Sequence, residues 1–141
     1  MVEMSHWFRS LQSQGLCQFQ VYPPHYTSSF RFVFGVAIFL VGFGVNFHSD
    51  SILRNLRKPG ETGYKIPHGG AFELVSGAHY FGEIVEWLGF AIAVNHLSAY
   101  AFVIYSASNL IPRALSHHQW YQEKFKDDYP RNRKAVIPLL L

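Results

Sequence analysis

The 141 residues amount to about one domain, and their composition excludes an ordinary water-soluble domain as the first expectation. Charged residues make up 15% and hydrophobic residues 49% of the chain, whereas roughly 25% charged residues is usual in soluble domains. The single cysteine, Cys17, excludes an internal disulfide and a paired-thiolate metal site. Long apolar runs alternate with short polar ones, a pattern typical of membrane spans.

Three apolar stretches are predicted to cross a membrane as helices. Residues 30–47 carry one charge, Arg31, at their edge, and about eighteen helical residues nearly cross a hydrocarbon core of roughly 30 Å. Residues 71–94 are long enough as well, and residues 99–115 form a marginal third span with its exit at Pro112. The fold class is therefore predicted to be all-α, a multi-span transmembrane helical bundle.

Charge predicts the orientation of this bundle. With three spans, ten of the twelve Lys and Arg residues fall on one face, and only Arg9 and Arg31 fall on the other. The ten are Arg54, Arg57, Lys58, Lys65, Arg113, Lys124, Lys126, Arg131, Arg133 and Lys134. By the positive-inside rule the basic face is cytosolic. We therefore expect a cytosolic C-terminus, with the closing VIPLLL packed at the interface because it is too short to cross.

The polar stretch after the first span carries one helical stripe. Spacings of four, four and three place Asn46, Asp50, Arg54 and Arg57 on one face, before Pro59-Gly60 ends the predicted helix. These residues form either a solvated helix end with internal ion pairs or, with Lys58, a phosphate-binding loop. The sequence contains no GxGxxG motif and no P-loop, so a Rossmann or Walker site is not supported.

The second stripe lies inside a predicted span. Spacings of three, four and three place Ser76, His79, Glu83 and Glu86 on one helical face. A charged residue at the bilayer centre costs at least about 2.5 to 3.5 kcal/mol, so this face should line a bundle interior or a polar cavity. Hydrogen bonding between helices, without any ligand, remains the alternative interpretation.

The third stripe contains Arg113, His117 and Tyr121, at steps of four. The adjacent His117 and His118 suggest metal binding, but no HExxH motif or cysteine partner accompanies them, and no metal is expected. Ordinary interfacial residues and contacts with a nucleotide or substrate both remain open. The tail residues Arg131, Arg133 and Lys134 are by default predicted to contact anionic lipid.

Three longer motifs identify a family resemblance. HSDSILRNLRKPGETGYKIPHGG, SGAHYFGEIVEW and RALSHHQWYQEKFKDDYPRNRKAVIPLLL resemble the C-terminal part of the steroid 5-alpha-reductases, types one and two. The resemblance covers Thr27 to Leu141, which divides the chain into a divergent segment, 1–26, and a C-terminal membrane domain, 27–141. It implies part of a seven-span helical oxidoreductase of the endoplasmic reticulum membrane that binds NADPH and reduces the C4-C5 double bond of 3-oxo-4-ene steroids.

The resemblance also implies a set of cofactor contacts. His79 stands where the family usually has asparagine, and Lys65 where arginine is frequent. The residues carried over as NADPH contacts are Asn46, Asp50, Arg57, Tyr64, Lys65, His79, Glu83, His117, Tyr121 and Arg133.

No catalytic residue is assigned, because the family's tyrosine and glutamate that bind the 3-ketone lie in earlier spans and nothing upstream of Thr27 resembles them. We therefore expect the NADPH-binding half of a reductase, truncated and inactive alone. The implied partners are a steroid substrate, the lipid bilayer and a full-length reductase, and no nucleic acid is expected.

Three alternatives remain. Isoprenylcysteine carboxyl methyltransferases have a similar C-terminal pattern of histidine, aromatic and basic residues but bind S-adenosylmethionine, and the LRKPG run argues against them. Reductases of other sterols or of polyprenol would change the substrate and keep the cofactor. A non-catalytic membrane fragment that binds NADPH or a full-length reductase is the third.

Overall fold

The computed structural model describes residues 21–57, 60–61 and 63–141. Across these residues the chain forms three α-helices, α1 (Phe30–Asn55), α2 (Ala78–Val94) and α3 (Leu97–Phe125), with short 3-10 turns before α1, between α1 and α2, and after α3. No strand occurs in this described part, which has one isolated parallel bridge, Val75 with Lys134. The all-helical prediction is confirmed for these residues. Cys17, Lys58 and Pro59 lie outside the described residues, as does most of the predicted segment 1–26.

Helix α1 contains the first predicted span and continues beyond it. Ser29 caps its start by accepting a hydrogen bond from the Phe32 backbone at 3.3 Å. The helix ends at Asn55, where the Leu56 N–H bonds only three residues back and tightens the last turn. The prediction that the helix runs to Pro59-Gly60 is therefore wrong at this point, and Arg57 does not belong to the stripe of Asn46, Asp50 and Arg54.

Length and composition alone would allow α1 to cross a membrane. Its 26 residues rise about 39 Å at 1.5 Å per residue, and its mean hydropathy reaches 1.9 over eighteen residues. It is the one helix in the described part of the chain that meets both criteria. Its large exposed apolar side chains include Val33, Phe34, Leu40, Val41, Phe43 and Phe47. Such a continuous exposed apolar face indicates contact with lipid or with another protein surface.

Glycines allow α1 and α2 to pack closely in antiparallel directions. A Cβ added to Gly42 would lie 2.2 Å from the Glu86 backbone nitrogen, and one added to Gly82 would lie 2.5 Å from that of Asn46. Any side chain at these positions would force the helices apart. The two other contacts of this kind are Gly35 with Ala93 and Gly89 with Phe39.

Helix α2 begins later than the predicted span of residues 71–94. Residues Gly70–Glu73 form a 3-10 turn, and α2 starts at Ala78 after its N-cap, Gly77. The backbone before the helix bonds elsewhere: the N–H groups of Ser76 and Gly77 donate to carbonyls of the C-terminal segment at 2.8 Å. Ser76 therefore lies outside the helix, and its predicted place on the α2 stripe is wrong.

Helix α3 is longer than the predicted third span. Asn95, in the left-handed conformation at φ 51°, ends α2, and His96 caps α3 by accepting from the Ser98 backbone at 3.3 Å. The helix passes through Pro112 and ends at Phe125, so Pro112 does not end the helix, and its place at the exit of the third span stays a prediction. Proline removes one backbone donor, and burial of the flanking Leu110 and Ala114 keeps the helix packed.

The C-terminal segment folds back onto the loop before α2. Arg133 is 2% exposed, so the prediction that it contacts anionic lipid is wrong. Arg131 is exposed and pairs with Asp127 at 2.9 Å. In the closing VIPLLL, Val136 is fully buried and Leu139 is 85% exposed. The antiparallel helices thus give the bundle a turn end, residues 21–29 with Asn95 and His96, and a basic end, residues 48–57, 60–61 and 63–77 with 113–141.

Candidate functional site

Two cations and two aromatic rings meet at the basic end. The Arg57 guanidinium lies 4.7 Å and the Lys124 ammonium 4.5 Å from the centre of the Tyr64 ring. Tyr64 meets the Trp120 ring edge to face at 4.8 Å, and Lys124 also lies 5.0 Å from that ring. We call these four residues the cation–aromatic cluster. It joins the loop after α1 to the last turns of α3 and presents positive charge beside flat apolar surfaces.

A tyrosine pair adjoins this cluster. Tyr121 stacks on Tyr129 with ring centres 5.6 Å apart and planes 12° apart, and it touches Trp120 at 5.2 Å. Burial raises the pKa of Tyr121, which lies beyond the predicted third span, and the nearby Tyr129 adds to the shift against the smaller opposing effects of Arg57 and Arg133. The Tyr121 hydroxyl therefore stays protonated at neutral pH and can donate a hydrogen bond.

Arg133 is a buried cation with spare hydrogen-bonding capacity. Its Nη1 donates to the Pro67 carbonyl at 3.1 Å, and its guanidinium lies 5.4 Å from the centre of the Tyr129 ring. Its Nε and Nη2 have no hydrogen-bond partner among the described residues, because the nearest carboxylate, on Glu73, is 4.0 Å from Nη2. A buried guanidinium whose Nε and Nη2 are both free to donate can hold a phosphate or carboxylate in two places.

A second polar group lies further along the bundle. The His79 and Tyr80 rings are 3.9 Å apart, and Tyr80 lies 5.8 Å from His117 on α3. Asp50 and His117 are both close enough to interact electrostatically with His79. The His79 Nδ1 atom is buried and has no partner within the described part of the chain. Three of the predicted site residues, one on each helix, therefore come together here.

Asn46 and Asp50 line a shallow cleft of about 300 Å³ on the α1–α2 side. Asp50 pairs with Arg54 at 3.2 Å within α1, which is the ion pair that the first interpretation of this stripe predicted. Glu86 of α2 borders the same cleft and interacts with Asn46. Glu83 lies one turn away on α2 and is half-buried.

The structure thus groups most of the predicted site residues. Arg57, Tyr64, Tyr121 and Arg133 share the basic end, and Asp50, His79 and His117 share the second polar group. Asn46 and Glu83 belong to neither group, since Asn46 lines the cleft and Glu83 lies one turn from Glu86 on α2. Lys65 lies in the loop after α1, where it is exposed and pairs with Glu61.

Sequence reasoning missed three residues of the basic end. Trp120 and Lys124 are four residues apart on α3, so their helical spacing could have revealed them beside Tyr121. Tyr129 follows the helix, and only the chain reversal at Lys126, which has φ 45°, brings it under Tyr121. No spacing rule would have found that contact.

The described residues combine one exposed apolar helix, long and apolar enough to cross a membrane, with a basic, aromatic cluster at one end. Comparison with known families is more specific. The chain matches the family described as 3-oxo-5-alpha-steroid 4-dehydrogenase over residues 3–141, and it belongs to that family. The match includes part of the segment before Thr27, so the boundary at residue 27 stays a prediction.

Individual relatives agree with the family match. The chain is 56% identical over 131 residues to 3-oxo-5-alpha-steroid 4-dehydrogenase 1 of Rattus norvegicus, covering 93% of this chain and 50% of the rat protein. It is 49% identical over 130 residues to the Homo sapiens type 1 protein, covering 92% of this chain and 50% of that protein. The Homo sapiens type 2 protein is 48% identical over 130 residues, with 92% and 51% covered. The chain therefore spans about half the length of these curated relatives.

Proposed function

We propose that this chain forms the NADPH-binding part of a membrane-embedded oxidoreductase that reduces the C4-C5 double bond of 3-oxo-4-ene steroids. One observation carries the proposal: in a chain of the 3-oxo-5-alpha-steroid 4-dehydrogenase family, a buried arginine, with two donor atoms that have no partner among the described residues, lies next to the tyrosine pair that adjoins the cation–aromatic cluster. NADPH has the matching chemistry, since its phosphates are anionic and its two bases are flat. When bound, NADPH supplies the hydride for the reduction.

The residues at the basic end suit three tasks in holding this ligand. Arg133 and Arg57 can bind phosphate oxygens through forked N–H groups. Tyr64 and Trp120 offer faces on which a base can stack. Tyr121, whose hydroxyl keeps its proton, can donate a hydrogen bond to the ligand.

The second polar group and the adjoining cleft extend the proposed site along the bundle. Asn46, Asp50, Glu83, His79 and His117 offer amide, carboxylate and imidazole groups to the ligand's ribose and amide portions. The buried His79 Nδ1 has no hydrogen-bond partner among the described residues, and this supports the assignment because buried polar atoms are usually hydrogen-bonded. The ion pair between Lys65 and Glu61 leaves Lys65 the weakest member of the set.

Coenzyme binding tests the proposal directly. NADPH and NADH are titrated into the detergent-solubilised chain, and we expect tighter binding of NADPH because Arg57 and Lys58 offer cations for the additional phosphate. Arg57→Ala should remove most of that preference. Arg31→Ala, which alters a basic residue in the first turn of α1 at the opposite end of the helix, is the matched control and should leave both affinities unchanged. Equal affinities for the two coenzymes in the unaltered chain would count against the proposal.

We place the chain in the endoplasmic reticulum membrane with three crossings and a cytosolic C-terminus. The apolar, exposed surface of α1 supports a crossing, and the ten basic residues predicted on one face support the orientation. The experiment is a glycosylation acceptor fused after Leu141. The acceptor should stay unmodified, and its glycosylation in the lumen would reverse the orientation.

We propose that turnover needs groups beyond this chain. Hydride transfer requires the acceptor carbon held about 3 to 3.5 Å from the donor, positioning that supplies roughly 7 to 11 kcal/mol. It also requires donors at the ketone oxygen, worth about 2.7 to 4 kcal/mol each. The polar residues above are assigned to the coenzyme, and the chain spans half of its relatives.

Expression in a reductase-free cell tests this requirement. The chain is produced alone and together with the remaining half of a relative, and reduction of a 3-oxo-4-ene steroid is assayed beside a polyprenol and another sterol. Turnover on co-expression only is expected. Robust turnover by the chain alone would move the ketone-binding role onto Glu83, Glu86 or Tyr121. Coenzyme binding without turnover in either case would favour a non-catalytic binding fragment.

A further inference from the structure

Ser76 lies at a junction of three separate parts of the basic end. Its hydroxyl donates to the Lys134 carbonyl at 3.1 Å and lies 2.5 Å from Nδ1 of His118 on α3. It is also hydrogen-bonded to the hydroxyl of Tyr129. The side chain is buried, with the residue 4% exposed. One hydroxyl therefore connects the loop before α2, helix α3 and the C-terminal segment.

Proton counting gives one arrangement that satisfies all three contacts. A serine hydroxyl has one proton and two acceptor lone pairs. If Ser76 donates to the Lys134 carbonyl, Tyr129 and the His118 Nδ1–H must both donate to Ser76. The His118 Nε2 then accepts from the Gln122 amide nitrogen, 2.8 Å away. Neutral His118 fits this network, whereas a protonated ring would direct a second N–H at the Gln122 donor.

Backbone hydrogen bonds surround the junction and depend on the same register. The Ser76 N–H donates to the Lys134 carbonyl and the Gly77 N–H to the Ala135 carbonyl, each at 2.8 Å, and the Lys134 N–H donates to the Leu74 carbonyl at 2.9 Å. Arg133 is next in sequence to Lys134, whose carbonyl accepts the first of these bonds. The position of its guanidinium therefore follows from how firmly the C-terminal segment is held.

Ser49 shows that burial alone does not produce such a junction. It is fully buried, and its hydroxyl has no hydrogen-bond partner among the described residues. The two serines are thus a matched pair, one joined to three groups and one joined to none.

We propose that Ser76 is a positioning residue that locks residues 129–136 onto the loop before α2 and so holds the Arg133 guanidinium in place for the coenzyme. The second half of this statement rests on the proposed function, and the first half does not. Residues 129–136 are hereafter the locked segment.

Hydrogen exchange measured by mass spectrometry tests the lock without coenzyme. Ser76→Ala removes a buried group with several partners, and exchange in the locked segment should become roughly five- to a hundredfold faster. Ser49→Ala should change it less than twofold. Tyr129→Phe keeps the ring and removes one bond, so it should show a smaller acceleration even if Ser76→Ala does not fold. Unchanged exchange in Tyr129→Phe, or equal effects of the two serine substitutions, overturns the lock.

The response to pH distinguishes this network from simple packing. Tyr129, Arg133 and Lys134 from the locked segment and Ser76 from the loop before α2 face His118, and Gln122 faces it from its own helix. Exchange in the locked segment, corrected for its intrinsic pH dependence, should accelerate from about pH 7.5 to about pH 5, around the usual histidine pKa. His118→Gln should lack this acceleration. A pH response of equal size in His118→Gln contradicts the proposed network.

Coenzyme titration separates the two halves of the proposal. If the locked segment opens in Ser76→Ala, NADPH affinity should fall at least tenfold, while Ser49→Ala binds as the unaltered chain does. Faster exchange without any loss of affinity refutes the positioning role and leaves NADPH binding intact. If the unaltered chain binds no NADPH, the proposed function fails, whereas the exchange result still decides the lock.

Discussion

The two ends of the helical bundle are held together differently. At the turn end, the Tyr26 hydroxyl donates to the Ala93 carbonyl at 2.7 Å, and Tyr22 reaches the Val94 carbonyl at 3.2 Å. Each of these hydroxyls provides a hydrogen-bond donor to a backbone carbonyl at the end of α2. At the basic end, by contrast, side chains from three segments form a hydrogen-bonded network beside charged groups. Some buried donor atoms there have no hydrogen-bond partner among the described residues.

The buried polar atoms that lack hydrogen-bond partners lie in one part of the described structure. The buried side-chain nitrogen and oxygen atoms without partners, among the residues that the structure describes, belong to Ser49, His79 and Arg133. All three residues lie toward the basic end. Since buried polar groups are normally satisfied, unpaired ones need an explanation, and a ligand is the simplest one for Arg133. The comparison therefore teaches that, among the described residues, the unsatisfied buried polar atoms lie toward the basic end, which is the end where we propose that the coenzyme binds.

The largest effect on the difference between the two ends is expected from replacing the guanidinium group of Arg133. Arg133→Lys keeps the charge and loses the second donor pair, and hydrogen bonds to charged groups are worth about 1.5 to 3 kcal/mol, so NADPH should bind roughly 10- to 150-fold more weakly. Arg131→Lys, two residues away and exposed, should have no effect. Affinities from fluorescence titration decide, and comparable losses in both variants would assign the effect to general charge.

Glycine-to-alanine substitutions test whether the packing of α1 on α2 affects NADPH binding equally toward the two ends. Gly82→Ala places a methyl group against the Asn46 backbone, and such overpacking typically costs about 1 to 3 kcal/mol. It should lower both thermal stability and NADPH affinity. Gly35→Ala, where α1 packs on Ala93 nearer the turn end, should lower stability alone, and Gly44→Ala, with open space around it, should lower neither. Thermal unfolding in micelles measures stability, and coenzyme titration measures affinity. A loss of NADPH affinity in Gly35→Ala would contradict the prediction that packing near the turn end does not affect binding.

The helices themselves could be predicted from apolar runs, but their ends could not. Spacing extended the α1 stripe to Arg57 and the α2 stripe back to Ser76, whereas the structure places both residues in loops. In each case a tertiary contact decides: Arg57 turns toward Tyr64, and the Ser76 backbone bonds to the C-terminal segment. Conversely, α3 continues through Pro112 because its neighbours stay packed.

The site residues, like the helices, could be predicted only in part from the sequence. Helical spacing anticipated the neighbourhood of His117 and Tyr121, and the family resemblance supplied Arg133. Neither could predict that Arg133 is buried with free donors, since that follows from the reversal of the chain after α3. Ser76 was placed on a face with His79, although its partners come from α3 and the tail. Contacts between distant segments have no signature in local spacing.

A histidine at the basic end makes that end sensitive to pH. Burial lowers the pKa of His118, which lies beyond the predicted third span, and the charges of Arg133 and Lys134 lower it further. Because the folded pKa is below the unfolded value of about 6.5, the stabilisation is complete above that pH and is lost as pH falls through the folded pKa. Unfolding followed in micelles should show a steeper loss of stability in the unaltered chain than in His118→Gln. Parallel curves for the two proteins would mean that His118 does not titrate differently on folding.

The smallest expected effect belongs to the turn end. Tyr26→Phe removes the hydroxyl that donates to the Ala93 carbonyl, and a typical buried hydrogen bond contributes about 0.5 to 1.5 kcal/mol, so the unfolding midpoint should fall slightly. Tyr22→Phe removes a longer and exposed bond and should change the midpoint less. Neither substitution should alter NADPH affinity, because no charged or unpaired donor is affected. Stability is measured by thermal unfolding and affinity by titration on the same samples. A tenfold loss of NADPH affinity in Tyr26→Phe, without unfolding, would show that the turn end also belongs to the binding site.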